Sequence, residues 1–452
     1  MPTHLLPSPL PHLLLHLLTP LLLLYNPPSA LAACECGYLA TATTTTLNGS
    51  HPTLLFTDLL ETDFARLAGT DGRHSSNDDI WARKTTGWAR QAFNLSRERA
   101  RGAYGEMFAV ENVRLGGGGG QGGEGVGDKG GLELVVRSEM VDGMVSAAEL
   151  DTERLDLRWG TFRAVMKVSG VRGTCAAFFW VSCGHGFLLL FCWLFVFASR
   201  LGGVGSHTLP PSPSSSLCAW RGVVVLTGRP LGGHGNQYFN DTQEIDMEFL
   251  SQDFNPSNNT FPVNLVLQSR EAALAGYDAS QSGNFVRTNL PFNPTTAFHE
   301  YRIDYLPNRV FFYADGAPLA AMDGPAVPSS PGHLILQHWS NGNARWSGGP
   351  PAEDAALVVR SVKAYFNSSL AQRQRDWEGR CRDPRAPGAV CVIPDVTPGD
   401  WGAADWFFSD QGNMTVNQTT TVFGQSQGSR LGQLWWLTVG WLLLGGGWAV
   451  VV

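Results

Sequence analysis

Three observations predict an all-β fold, a sandwich of two antiparallel sheets. Short runs rich in β-branched and aromatic residues alternate with turns of Gly, Pro and Asn. Trp and Gly are abundant, 15 and 52 of 452 residues. No long amphipathic helical pattern separates the runs, which argues against strands and helices alternating around a parallel sheet.

The elements follow in order. Residues 1–33 read as an export signal: "PHLLLHLLTPLLLL" (11–24) is apolar, and Ala30–Ala32 offers a small-residue cleavage site before Ala33. Residues 34–395 form the expected sandwich domain. Its strands are expected at 131–137, 159–168, 174–180, 243–249, 261–268, 298–306, 309–316, 332–340 and 355–366. "YADG" (313–316), followed by a further apolar run, marks a hairpin turn. Residues 396–430 read as a polar linker. The apolar run 431–452, preceded by "GQSQGS" (424–429), resembles a glycolipid-anchor signal more than a spanning helix flanked by basic residues.

Two stretches break the rhythm. Residues 116–131 are a low-complexity Gly-rich loop. They contain GxGxxG at Gly118, Gly120 and Gly123, but no strand-then-helix context supports a nucleotide site. Residues 181–237 begin inside an apolar strand and carry three of the eight cysteines. We read them as translated intron. Val codons begin GT and one Gln codon ends AG, so Val181 to Gln237 runs from donor to acceptor in frame. A genuine insertion loop is the alternative.

The net charge of −7 offers no basic field for nucleic acid. N-x-S/T sequons at Asn48, Asn94, Asn240, Asn258, Asn367, Asn413 and Asn417 agree with the secretory route. Cys381 and Cys391 flank a short Pro-rich loop and are placed to pair; partners for Cys34, Cys36 and Cys175 are not fixed by spacing. Zinc-type CxxC pairs and HExxH are absent from the sequence, so neither a metal nor a cofactor is expected.

The chemistry concentrates in "TQEIDMEFLS", residues 242–251. A strand sends alternate side chains to one face, so Glu244, Asp246 and Glu248 share a face and Ile245, Met247 and Phe249 take the other. Three adjacent acids repel one another unless they are paired or protonated. Glycoside cleavage needs two carboxyl groups in different protonation states. Glu244 and Glu248 stand about 13 Å apart in an ideal strand, and retaining enzymes need their carboxyls at about 5–5.5 Å, so long side chains must lean together on a curved sheet. Asp246 between them can hydrogen-bond to one Glu and separate the two pKa values. Alternate acids are also ordinary on a solvated strand face. The nearby Trp159, Phe179, Trp180, Phe239, Trp339 and Trp346 favour a sugar site, although each is equally at home in a core.

"EIDMEF" resembles the signature strand of glycoside hydrolase family 16, of the fungal glucanase/transglycosylase type, whose fold is a concanavalin A-like β-jelly roll. "WGTFRAVMKVSGVRGTCAAFFW", "FHEYRIDYLPNRVFFYADGAPL" and "HWSNGNARWSGGPP" resemble its other strand pairs and its Trp-bearing loop. The resemblance covers roughly residues 80–370, less the insertion. It implies a retaining enzyme with Glu244 as nucleophile, Asp246 as its electrostatic partner and Glu248 as general acid/base. It further implies Trp339, Asn341, Trp346, Trp180 and Arg163 as substrate-binding residues. Many members carry Asp where this chain has Gln243, which bears on subfamily rather than on the acid trio. The resulting expectation is a secreted, wall-associated endo-β-glucanase on β-1,3- or β-1,3/1,4-glucan, monomeric and tethered to the membrane at its C-terminal end. A transglycosylase of the same family and a non-catalytic, lectin-like wall protein are the competing expectations.

Overall fold

The structure is a computed structural model that describes residues 34–40, 54–69, 81, 87–116, 130–182, 242–277 and 279–394. The export signal, the Gly-rich segment from 117 to 129, residues 183–241 of the anomalous stretch and its flank, the linker and the apolar 431–452 run lie outside the described residues. Among the described residues no helix is long and apolar enough to cross a membrane.

Two antiparallel sheets face each other, a β-jelly-roll sandwich as expected. The first runs Phe285–Asn289, Pro262–Ser269, Gln243–Leu250, Cys175–Ser182, Gly332–Trp339 and Met144–Thr152, each hydrogen-bonded to the next. Beyond Met144–Thr152 lie Trp88–Arg90, antiparallel to it, and Gly105–Phe108, a parallel exception. The second sheet runs Ala317–Asp323, Arg309–Ala314, His299–Leu306, Leu157–Lys167 and Ala355–Ser368. Asp58–Asp63 and Gly131–Val136 then share the far side of Ala355–Ser368.

Every strand read from the sequence is present, displaced at its ends by two residues at most. The anomalous stretch has a firmer start than its sequence suggests. Val181 and Ser182 continue the Cys175–Ser182 strand, with Val181 opposite Glu244.

Period-two alternation places the core. Ile245, Met247 and Phe249 are buried between the sheets with Phe178, Leu334, Tyr301, Tyr305 and Phe312. Phe249 meets Tyr301 edge to face at 4.6 Å between ring centroids. Burying an apolar side chain of this size is worth about 1.5–3 kcal/mol, so this face offsets the cost of three acids on the other.

Two disulfides staple the termini of the described domain. Cys34 pairs with Cys391 and Cys36 with Cys381. The expected Cys381–Cys391 pair is thereby corrected: Gly37–Ala40 lies parallel to Val390–Ile393 and presents its own cysteines. The helix Ala371–Arg380 is pinned beside them by Arg373, which donates to the buried Asp58 at 2.7 and 2.9 Å.

Candidate active site

Glu244, Asp246 and Glu248 lie on the outer face of the first sheet and together line two adjoining hollows of about 440 and 430 Å³. The register fixes the floor around them. Val181 stands opposite Glu244, Phe179 opposite Asp246 and Ala177 opposite Glu248. On the other flank Gln268, Val266 and Asn264 oppose the same three acids. Gln243 holds the start of the strand: its side-chain carbonyl accepts from the backbone N–H groups of Ser329 and Ser330, each at 3.0 Å.

The walls come from two loops. Gly332–Trp339 brings Trp339 to the cleft and runs into the 340–350 loop, which adds Asn341 and Trp346. That loop must turn back tightly. Gly349 has φ +87°, and a Cβ there would lie 2.1 Å from Ser340 Oγ, so only glycine fits. The turn brings the Trp346 indole N–H to 3.2 Å from Glu248 Oε1. Asn341 is only 3 % exposed. Its amide donates to the Ala100 carbonyl at 2.6 Å and accepts from Ser347 Oγ at 2.9 Å. It therefore ties the loop to the opposite wall while it borders the cleft.

That opposite wall is the short helix Arg97–Ala100 and the residue after it. Arg101 projects from it and stacks over Tyr277, 4.0 Å from the ring centroid. Arg101 and Tyr277 come from opposite flanks of the sheet, and both line the hollows above the acids. Neither was singled out in the sequence. Both sit in loops without a motif, and only the fold brings them together.

Two expected cleft residues are elsewhere. Trp180 is corrected to the core. Phe178 and Trp180 share the inward parity of their strand, so Trp180 is fully buried, donates its indole N–H to the Leu157 carbonyl at 3.2 Å and packs on Tyr305. Phe179 takes the cleft position instead. Arg163 is corrected to the second sheet. Phe162 and Ala164 point inward, so Arg163 points outward, away from the first sheet, and donates to the Pro394 carbonyl at 2.8 Å.

Burial raises three carboxyls at the cleft. Burial pushes Glu248 up to about 7, against the opposing pull of the Trp346 N–H, the Cys175 thiol and the Arg101 charge. Sequence reasoning missed two further buried acids. Glu149 is pushed up to about 8 by burial, with the Gln337 hydrogen bond opposing and the Glu244 charge adding to the rise. Glu106 is pushed up to about 8 by burial and by Glu149, against Asn341 and Arg101. A carboxyl that keeps its proton near neutrality beside other carboxylates suits acid/base work at a glycosidic oxygen.

Residues 227–356 match the family model for glycosyl hydrolases family 16. Over those residues the chain is similar to that family, and its curated relatives point the same way. A β-glucanase of Paenibacillus polymyxa is 29% identical over 147 residues, 32% of this chain and 52% of that protein. A probable xyloglucan endotransglucosylase/hydrolase of Arabidopsis thaliana is 29% identical over 186 residues, 38% of this chain and 51% of that protein. The chain thus spans about half the length of these relatives. Among solved structures, the endo-β-1,3-glucanase of Pyrococcus furiosus aligns over 70% of this chain and 96% of its own, at 15% identity and a TM-score of 0.40. The β-glucanase of Bacillus licheniformis aligns over 68% and 97%, at 12% identity and a TM-score of 0.39. At scores of that size the structural likeness carries no argument.

Proposed function

We propose that this chain acts as a family 16 enzyme and cleaves β-glucan by double displacement with retention of configuration. The observation that carries the reading is the placement of Glu244, Asp246 and Glu248 on one strand face at the floor of one cleft. Glu244 attacks the anomeric carbon as Glu248 gives its proton to the departing sugar oxygen. Glu248, now a carboxylate, takes a proton from the incoming hydroxyl in the second half, and Glu244 leaves. Asp246 stands between them and biases their protonation. Trp339 and Trp346 offer aromatic faces to the sugar rings.

The relatives named β-glucanase support a β-1,3- or mixed β-1,3/1,4-glucan as substrate. Transfer to a sugar hydroxyl in place of water is the second reading. It is favoured by the relative named as an endotransglucosylase/hydrolase. Both outcomes share the covalent intermediate and differ only in what resolves it. The proposal includes a secreted, wall-facing location with a membrane tether through the 431–452 run. Seven sequons and two disulfides support export.

Product analysis tests the function. The full chain is incubated with laminarin and with lichenan in the presence of a labelled oligosaccharide acceptor. Shortened glucans indicate hydrolysis and labelled ones transfer. Glu244→Gln is expected to keep glucan binding and lose both products. Unchanged turnover in that variant would remove Glu244 as nucleophile, and glucan binding without turnover by the unaltered chain would favour a lectin-like protein.

A further inference from the structure

Two hydrogen-bond donors converge on one oxygen of Glu248. The Trp346 indole N–H lies 3.2 Å from Oε1, and the Cys175 thiol lies 3.7 Å from the same atom. Cys175 is on the neighbouring strand, two residues before the Ala177 that stands opposite Glu248. It is fully buried and outside any disulfide. Burial and the nearby acids push its thiol well above the usual range, so it stays an S–H donor and does not become a thiolate. The thiol has one proton and two acceptors in reach, Oε1 and the Ala176 carbonyl at 3.8 Å. The carboxyl wins that proton whenever it is ionised, because charge-assisted hydrogen bonds are about twice as strong.

A protonated carboxyl is not symmetric. Its carbonyl oxygen accepts hydrogen bonds well; its hydroxyl oxygen accepts poorly and donates. Donors gathered on one oxygen therefore decide which oxygen carries the proton. We propose that Cys175 is a positioning residue for the general acid: with Trp346 it holds Oε1 of Glu248 as the acceptor and leaves the catalytic proton on Oε2. This inference rests on the role given to Glu248 above and deepens it. In the first step the Oε2–H bond breaks as the proton passes to the glycosidic oxygen. The carbon–oxygen bond pair goes to that oxygen, and a Glu244 oxygen forms the new bond to the anomeric carbon. In the second step Oε2 recovers a proton from water or a sugar hydroxyl, whose oxygen displaces Glu244. Oε1 keeps both donors throughout, so no hydrogen bond has to be rebuilt between the steps.

The test compares two leaving groups on the same glycon. A β-glucan oligosaccharide needs its leaving oxygen protonated, whereas the 2,4-dinitrophenyl glycoside leaves with little acid help. In the full chain, Cys175→Ala is expected to lower kcat/KM about tenfold on the oligosaccharide, a part of the about 10²–10⁴-fold that a general acid contributes. On the dinitrophenyl substrate the loss is expected to be less than about threefold, and Cys175→Ser, which keeps a donor, recovers most of it. Trp346→Phe removes the other donor and is expected to show the same dependence on the leaving group, which serves if Cys175→Ala does not fold. Carbon-13 NMR titration gives an independent reading. With Arg101, Glu244, Asp246, Glu106 and Glu149 unchanged, loss of the thiol donor is expected to move the Glu248 carboxyl to a higher pH. Equal losses on both substrates, or an unmoved titration in a folded Cys175→Ala protein, would overturn the role given to Cys175 alone. An unaltered chain inert toward both substrates would instead overturn the function proposed above.

Discussion

Gln337 donates a side-chain hydrogen bond to Glu149, its direct neighbour across the ladder and a buried acid on the sheet that carries Gln243–Leu250. Burial holds the Glu149 carboxyl at about 8, above the usual 4.5. The unfolded chain therefore ionises first, and the folded state binds the extra proton between those two values. Stability from this group is greatest below about 4.5 and falls as the pH rises through about 8. Glu149→Gln is expected to lessen the drop in melting temperature between pH 5 and pH 8. An identical drop in the variant would show that Glu149 ionises as an ordinary carboxyl.

Asp58 behaves in the opposite way. Its buried carboxyl receives Arg154 at 3.0 and 3.2 Å and Arg373 at 2.7 and 2.9 Å. Burial alone would raise its pKa, but the two guanidinium groups hold it below the carboxylate range. Its contribution is present above the unfolded pKa and is lost as the pH falls through the folded one. Asp58→Ala leaves the 5 % exposed Arg154 side chain with Asp156 alone. Denaturant unfolding should show a loss of about 3–5 kcal/mol. A loss below about 1 kcal/mol, the range of a surface pair, would contradict the buried network.

Two of the three tryptophans expected at the substrate should part company. Trp339 lines the cleft and Trp180 fills the core. Trp339→Ala is expected to raise KM for glucan by about tenfold, the worth of one good aromatic contact, with little change in melting temperature. Trp180→Ala is expected to cost about 3–5 kcal/mol of stability through the cavity it leaves. Isothermal titration with a glucan oligosaccharide and thermal unfolding of both variants separate the two effects. The reverse pattern would place Trp180 at the site.

What the sequence revealed tracks how local the signal is. The acidic strand was legible because acids alternate with Ile245, Met247 and Phe249, and polarity marks the face. In "CAAFFWVS" every residue is buried, so polarity marks nothing, and only register with Asp246 shows that Phe179 and not Trp180 faces the cleft. The Met144–Thr152 strand was overlooked for the same reason, and its Glu149 with it: small and polar residues are buried on both faces. The pairing of Cys36 with Cys381, 345 residues apart, depends on a parallel contact between Gly37–Ala40 and Val390–Ile393 that no spacing encodes.

In the proposed reaction Glu244 forms a covalent bond to the sugar. A 2-deoxy-2-fluoro glucosyl or oligosaccharide inhibitor with a good leaving group slows breakdown of such an intermediate enough for mass spectrometry. Peptide mapping is predicted to find the sugar on Glu244 within residues 242–251, and to find none in Glu244→Gln. A label on another carboxylate, or full turnover with no labelled peptide, would contradict the account.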